Sequence, residues 1–174
     1  GAQYNGRDGV DTFYADWSAT TTAIVWDNDP AKTVTVQGAE LSGLERLLVA
    51  TGSGNDVIKN TNVTTDDYIS TGDGNDTIDA GAGNDTLVGG AGDDLIHCGS
   101  GSDTVVLQGA YTEYIIGYNA VTSYYTIYDI VADRDGRDRI DGVEYFQFAD
   151  GQKSATAAIN DIVAPSLIAQ NPLN

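Results

Sequence analysis

A large aliphatic residue recurs at nine-residue intervals through the middle of the chain, at Ile69, Ile78, Leu87, Ile96 and Val105. Ile58 stands in the same phase once two extra residues, Asn60 and Thr61, are set aside. Between these positions lie runs of Gly, Asn and Asp, which favour turns. The pattern predicts three-residue strands, each sending its central side chain into a narrow core, joined by six-residue turns. Two units complete one coil, so each turn should stack on the turn eighteen residues away. Outside this array, Thr20–Trp26 and Thr33–Gln37 alternate β-branched and apolar residues, with a turn at Asp27–Lys32 that holds Pro30. Tyr111–Tyr118 and Tyr124–Asp129 read as a hairpin across Asn119–Ser123, and Ser154 caps one short helix ahead of Pro165.

The repeated unit is TGSGNDVIK at Thr51–Lys59, then NVTTDDYIS, TGDGNDTID, AGAGNDTLV, GGAGDDLIH and CGSGSDTVV without a gap from Asn62 to Val106. Its consensus, G-G-x-G-x-D-x-U-x with U aliphatic, is that of the calcium-binding parallel β-helix nonapeptide. Glycines at the second and fourth positions (Gly72 and Gly74, Gly81 and Gly83, Gly90 and Gly92, Gly99 and Gly101) allow the turns to aim carbonyl oxygens at a common centre. The sixth position is Asp in every copy: Asp56, Asp67, Asp76, Asp85, Asp94 and Asp103. Carboxylates and carbonyls suit Ca²⁺, which takes about six to eight oxygens, whereas Mg²⁺ prefers a tight octahedron with retained waters. Zn²⁺ prefers His and Cys, and the chain has one of each, His97 and Cys98, adjacent through repeat drift. The stacking period pairs Asp76 with Asp94 and Asp85 with Asp103 as core sites among several Ca²⁺ ions. Asp67 with Asp85 is a lesser site because NVTTDD has no glycine in its turn, and Asp56 with Asp76 has to absorb Asn60 and Thr61.

Over Thr51–Val106 these units resemble the repeats-in-toxin (RTX), or hemolysin-type calcium-binding, family. The resemblance implies an all-β fold, a right-handed parallel β-roll (β-helix) with flanking β-strand capping segments. It further implies secretion, usually unfolded, through the type I machinery of a Gram-negative bacterium, with folding triggered by millimolar calcium outside the cell or at its surface. The physics agrees, since apposed aspartates repel without a cation and only the folded chain owns the site.

Charge narrows the partners. The 26 acidic and 8 basic residues give a net charge of −18 over 174 residues, which repels nucleic acid and anionic lipid and attracts cations. The 41% hydrophobic residues, two Trp and ten Tyr distinguish the chain from a disordered acidic one. Cys98 is alone and forms no internal disulfide, and no apolar run approaches the roughly 18 residues of a membrane span. The start, GAQYNGRDG, lacks the regions of a cleavable signal peptide. Either the chain is a piece of a longer protein, or its export reads no N-terminal signal. HExxH, GxSxG and P-loop motifs are absent, and one histidine cannot supply both a base and a metal set, so no enzyme activity is expected.

Two flanking segments echo one another, GRDGVDTF at Gly6–Phe13 and DRDGRDRI at Asp133–Ile140. Both place glycine fourth (Gly9, Gly136), aspartate sixth (Asp11, Asp138) and a large apolar residue eighth (Phe13, Ile140). A second shared pattern follows each, SGLERLLV at Ser42–Val49 and DGVEYFQF at Asp141–Phe148. They read as degenerate coils that cap the roll, whose Arg7 and Arg134 bring a cation toward the turn. An EF-hand reading of DRDG fails because Gly142 stands where the bidentate Glu belongs. The organisation is thus an N-terminal capping segment at 1–50, the roll at 51–106, a C-terminal capping segment at 107–153, and at 154–174 either a linker or part of an export signal. The function expected is a structural and secretion module of a larger secreted or surface protein, such as an adhesin. The alternative is a glycan-binding or adhesive module, with Tyr114, Tyr118, Tyr124, Tyr125 and Tyr128 either stacking on sugars or covering the roll's end. Ice binding would need regular threonine ladders, and the outward array positions are too mixed for it.

Overall fold

The structure is a computed structural model that describes residues 2–159. The first fifty residues give β1 (Gln3–Asn5), β2 (Thr12–Asp16), β3 (Val25–Asp27), β4 (Val34–Val36), β5 (Ala39–Ser42) and β6 (Arg46–Ala50). The repeats give β7 (Val57–Lys59), β8 (Tyr68–Asp73), β9 (Thr77–Asp79), β10 (Thr86–Ala91), β11 (Leu95–His97) and β12 (Thr104–Val106). Beyond them lie β13 (Tyr114–Asn119), β14 (Tyr124–Asp129), β15 (Arg137–Asp141), β16 (Tyr145–Phe148) and β17 (Gly151–Ser154).

Successive strands of the array fall alternately into two seven-stranded sheets, ordered β17-β16-β12-β10-β8-β6-β2 and β13-β14-β15-β11-β9-β7-β3. Neighbours from β6 to β12 are parallel, so the chain winds as a β-roll with one strand of each coil in each sheet. Ile69 faces Leu87, Leu87 faces Val105, and Ile78 faces Ile96 across the ladders, all at most 1% exposed. One inward side chain per three-residue strand is what the nonapeptide phase dictates, because side chains alternate across a strand.

Coils outside the array join the same two sheets. Phe13 of β2 faces Leu47 of β6, and Trp26 of β3 faces Ile58 of β7. At the other end Ile140 of β15 faces Ile96, and Phe146 of β16 faces Val105. Between β12 and β15 the chain leaves the roll to form the antiparallel hairpin β13–β14, which docks on β15. A separate three-stranded sheet, β1-β5-β4, lies at the N-terminal end. The core is aliphatic in the middle and aromatic at its ends. Phe13, Trp17 and Trp26 meet at ring-centroid distances of 5.4–6.0 Å at one end, and Phe146, Phe148, Tyr111, Tyr114 and Tyr125 cluster at the other. Rings of this size cover the apolar coil that a stack would otherwise present to water.

Three local expectations change. Asn60 and Thr61 do not break the stack, because Ile58 still faces Ile78 and Asn60 is buried as a bridge. Its Nδ2 donates to Asp67 Oδ2 and the Glu45 carbonyl, and its Oδ1 accepts from Asn28. Of Thr20–Trp26 only Val25 and Trp26 are strand, since the residues before them form a turn against 51–56, where Ile24 N–H donates to Asp56 Oδ1 at 2.6 Å. The hairpin begins at Tyr114, after a single 3₁₀ turn at Tyr111–Glu113. Residues 155–159 are helical, with Ser154 Oγ accepting the Ala157 N–H at 3.3 Å; the rest of the tail lies outside the described residues.

Candidate metal centre

Each six-residue turn stacks on its counterpart one coil away, and the sixth-position aspartates make the contact. Asp76 N–H donates to Asp94 Oδ1 at 2.9 Å, and Asp85 N–H to Asp103 Oδ1 at 2.8 Å. Asp67 N–H donates to Asp85 Oδ1 at 2.8 Å and Asp56 N–H to Asp76 Oδ1 at 2.7 Å. Two ladders result, one on each edge of the roll, in which every carboxylate reaches back to the preceding coil through Oδ1. Glycine makes this approach feasible. Gly90 has φ 103° and Gly99 φ 100°, and a Cβ on either would overlap the carbonyl oxygen of Gly72 or Gly81 beneath it. Gly74, Gly83, Gly92 and Gly101 also take positive φ, and the Gly74 and Gly83 carbonyls lie against Gly92 and Gly101.

The second carboxylate oxygen is the unusual one. Oδ2 of Asp56, Asp76, Asp85, Asp94 and Asp103 is buried with no hydrogen-bond partner among the described residues. Asp94 Oδ2 lies beside Gly89 of its own turn, in a cradle that a Cβ at Gly89 would fill. A buried, unpaired anionic oxygen is costly, and its ordinary remedies are a proton or a cation. Burial pushes the carboxyls of Asp76 and Asp103 up to about 6 and those of Asp85 and Asp94 to about 7, helped by neighbouring aspartates and opposed by the ladder N–H groups. Among the described residues no three His, Cys, Asp or Glu side chains converge on one point. A cation here must therefore be completed by turn carbonyls, which is the donor set of a hard ion such as Ca²⁺.

The six aspartates differ in how their second oxygen is placed. Asp56 holds a free oxygen like the core four, despite the insertion beside it. Asp67 does not, because its Oδ2 accepts from Asn60 Nδ2 at 2.6 Å and the Leu47 N–H donates to its Oδ1 at 2.9 Å. Three acidic residues beyond the array continue the ladders. Asp94 N–H donates to Asp138 Oδ1 at 3.0 Å, Asp103 N–H to Glu144 Oε2 at 2.8 Å, and Asp11 N–H to Glu45 Oε2 at 2.8 Å. Glu45 and Glu144 were missed as ladder members, although the shared GLER and GVEY patterns were their signal. Arg134 turns away from the ladder, gripping Asp129 at 2.6 and 2.7 Å and Glu113 at 2.7 Å, and Arg7 is exposed.

The remaining candidates have structural surroundings. His97 Nδ1 meets Asp141 Oδ1 at 2.9 Å, and burial pushes the Cys98 thiol up. Tyr114 is buried and donates to Asp135, Tyr125 packs on Phe146, and Arg139 lies over Tyr124. Tyr118 and Tyr128 are exposed.

Residues 70–105 match the family model for the RTX calcium-binding nonapeptide repeat, in four copies. No curated protein matches the chain. Repeats of this kind bind calcium, and the described residues contain no helix long and apolar enough to cross a membrane.

Proposed function

We propose that the chain is the calcium-dependent folding module of a larger exported bacterial protein, without catalytic activity of its own. The observation that carries this reading is the set of five buried, unpartnered Oδ2 atoms standing in stacked, carbonyl-rich turns. Ions shared by Asp76 with Asp94 and by Asp85 with Asp103 form the core sites. Asp56 with Asp76 adds a third, the Asp67–Asp85 step is the weakest, and the paired glycines shape each cradle. Segments 1–50 and 107–153 serve as end coils of the same roll.

Export follows from the same chemistry. With calcium scarce, buried like charges oppose folding, and the chain stays extended enough to thread a type I secretion channel. Outside the cell, calcium binds only the folded state and draws the equilibrium toward it. Far-UV circular dichroism during calcium titration of metal-stripped protein tests this. A transition to a β-rich spectrum is expected at roughly 10⁻⁴ to 10⁻³ M, the range of extracellular modules. An unchanged spectrum between excess chelator and millimolar calcium overturns it.

A further inference from the structure

The two outer faces of the roll differ in charge. On the β3–β7–β9–β11–β15 face, one cross-strand row reads Asp27, Lys59, Asp79, His97 and Asp141, ionisable at every strand. On the opposite face one cross-strand row reads Tyr14, Leu48, Tyr68, Thr86, Thr104 and Tyr145, with no charge from β2 to β16, and the row in the same phase as the ionisable one, Asp16, Ala50, Ser70 and Val88, carries a single charge at Asp16. Its three rings are open to solvent, Tyr14 at 77%, Tyr68 at 43% and Tyr145 at 38%. Tyr14 and Tyr68 also wall a groove of about 240 Å³ whose lining includes Leu48, Ala50, Asp16 and Ser18. Ser18 donates twice to Asp16 Oδ1, at 3.1 Å from its N–H and 2.7 Å from its hydroxyl. These bonds keep the Asp16 carboxyl ionised, below its ordinary range, and Oδ2 has no hydrogen bond among the described residues.

We propose that this face is a carbohydrate-binding surface for a neutral, extended polysaccharide whose chain lies across the strands. Tyrosine rings offer flat apolar planes to the C–H faces of sugars, while the Thr86 and Thr104 hydroxyls and Asp16 pair with sugar hydroxyls. Neighbouring strands lie about 4.8 Å apart, close to the length that one pyranose adds to an extended chain. Tyr14 and Tyr68, two strands apart, therefore flank about two sugar rings, and Tyr145 forms a further platform three strands on. A net charge of −18 disfavours acidic glycans, and Asp16 is the one charged side chain lining the groove, so a neutral polymer desolvates a single carboxylate that its hydroxyls can hydrogen-bond. The proposal adds the ligand class and its residues to the recognition alternative, and it requires the calcium-folded roll.

Affinity electrophoresis in millimolar calcium tests it, with hydroxyethyl cellulose, galactomannan, dextran or alginate in the gel. Retardation is expected in at least one of the two extended neutral polymers and not in alginate. Tyr14→Ala/Tyr68→Ala should weaken retardation tenfold or more while leaving the calcium midpoint and the folded spectrum unchanged. Retardation by neither of the two extended neutral polymers, retardation by dextran or alginate alone, or equal retardation of the double variant, overturns the proposal while leaving calcium-driven folding intact. Concentration-dependent dimerisation abolished by the same variant, without retardation, assigns the face to a second copy of the chain and overturns it as well.

Discussion

Substitution of Asp85 separates the two tasks of its carboxylate. Oδ1 accepts the Asp67 N–H at 2.8 Å, and Oδ2 is buried and unpartnered. Asp85→Asn keeps an acceptor for Asp67 but removes the charge, whereas Asp85→Ala removes both. Stranding a buried N–H costs about 1–3 kcal/mol. Taking about 2 kcal/mol and a transition that binds two ions, the calcium midpoint of Asp85→Ala should lie about fivefold above that of Asp85→Asn. Four ions binding together reduce the gap to about twofold, because each supplies its share of the deficit. Both variants should sit above the parent protein, having lost a charged ligand. Circular dichroism in calcium buffers gives the midpoints, and equilibrium dialysis counts the ions. Coincident midpoints for the two variants would refute the ladder bond, and an Asn variant equal to the parent would remove Asp85 from the site.

In metal-free protein, the folded carboxyls of Asp76, Asp103, Asp85 and Asp94 lie at about 6 to 7, above the ordinary 3.8. The metal-free fold therefore binds extra protons, so its stability is greatest at low pH and is lost as pH rises through about 6 to 7. The β signal of stripped protein should be larger near pH 5 than near pH 8, and the calcium midpoint should fall over the same rise; a flat response in both would contradict the burial of these groups. Gly99→Ala, at φ 100° and against the Gly81 carbonyl, should raise the calcium midpoint sharply or prevent folding, while Gly117→Ala, with nothing within 4 Å, should match the parent in the same titration. Asn60→Ala strands Asp67 Oδ2 and one Asn28 amide N–H, the other staying on the Leu44 carbonyl, so urea unfolding in saturating calcium should show a loss of about 2–4 kcal/mol, and a loss under about 0.5 kcal/mol would count against the bridge.

The sequence made the repeat phase and the roll legible because one aliphatic side chain per nine residues admits few alternatives. Ile69, Leu87 and Val105 stand in register where their spacing put them. What stayed hidden depends on contacts between segments distant in the chain. Asn60 looked like an interruption, yet its amide pairs with Asp67 Oδ2, the oxygen that has no hydrogen-bond partner among the described residues at Asp56, Asp76, Asp85, Asp94 and Asp103. No local pattern announces that substitution, because its partners Asn28, Glu45 and Asp67 meet only after winding. Tyr14, Tyr68 and Tyr145 likewise form one row only once β2, β8 and β16 share a sheet. Glu45 and Glu144 were hidden for a different reason, since a longer acid two residues after a single turn glycine, Gly43 or Gly142, departs from the nonapeptide while delivering its oxygen to the equivalent ladder N–H.

The division of labour within each aspartate explains why folding and ion binding cannot be separated here. Oδ1 has its partner only when the preceding coil is in place, and Oδ2 is buried by the fold itself. A metal-free roll must therefore either hold unpaired anionic oxygens or take up protons, while an unfolded chain has no pair of turns to offer an ion. The ladder also has a direction, because each N–H is satisfied by the coil that follows it in the stack. Asp94 and Asp103 consequently depend on Asp138 and Glu144, which lie beyond the repeats and across the hairpin. At the other end, Asp56 and Asp67 find their donors in Ile24 and Leu47, residues with no carboxylate to contribute. The N-terminal coils thus receive the ladders, and the C-terminal coils supply the acceptors that complete them.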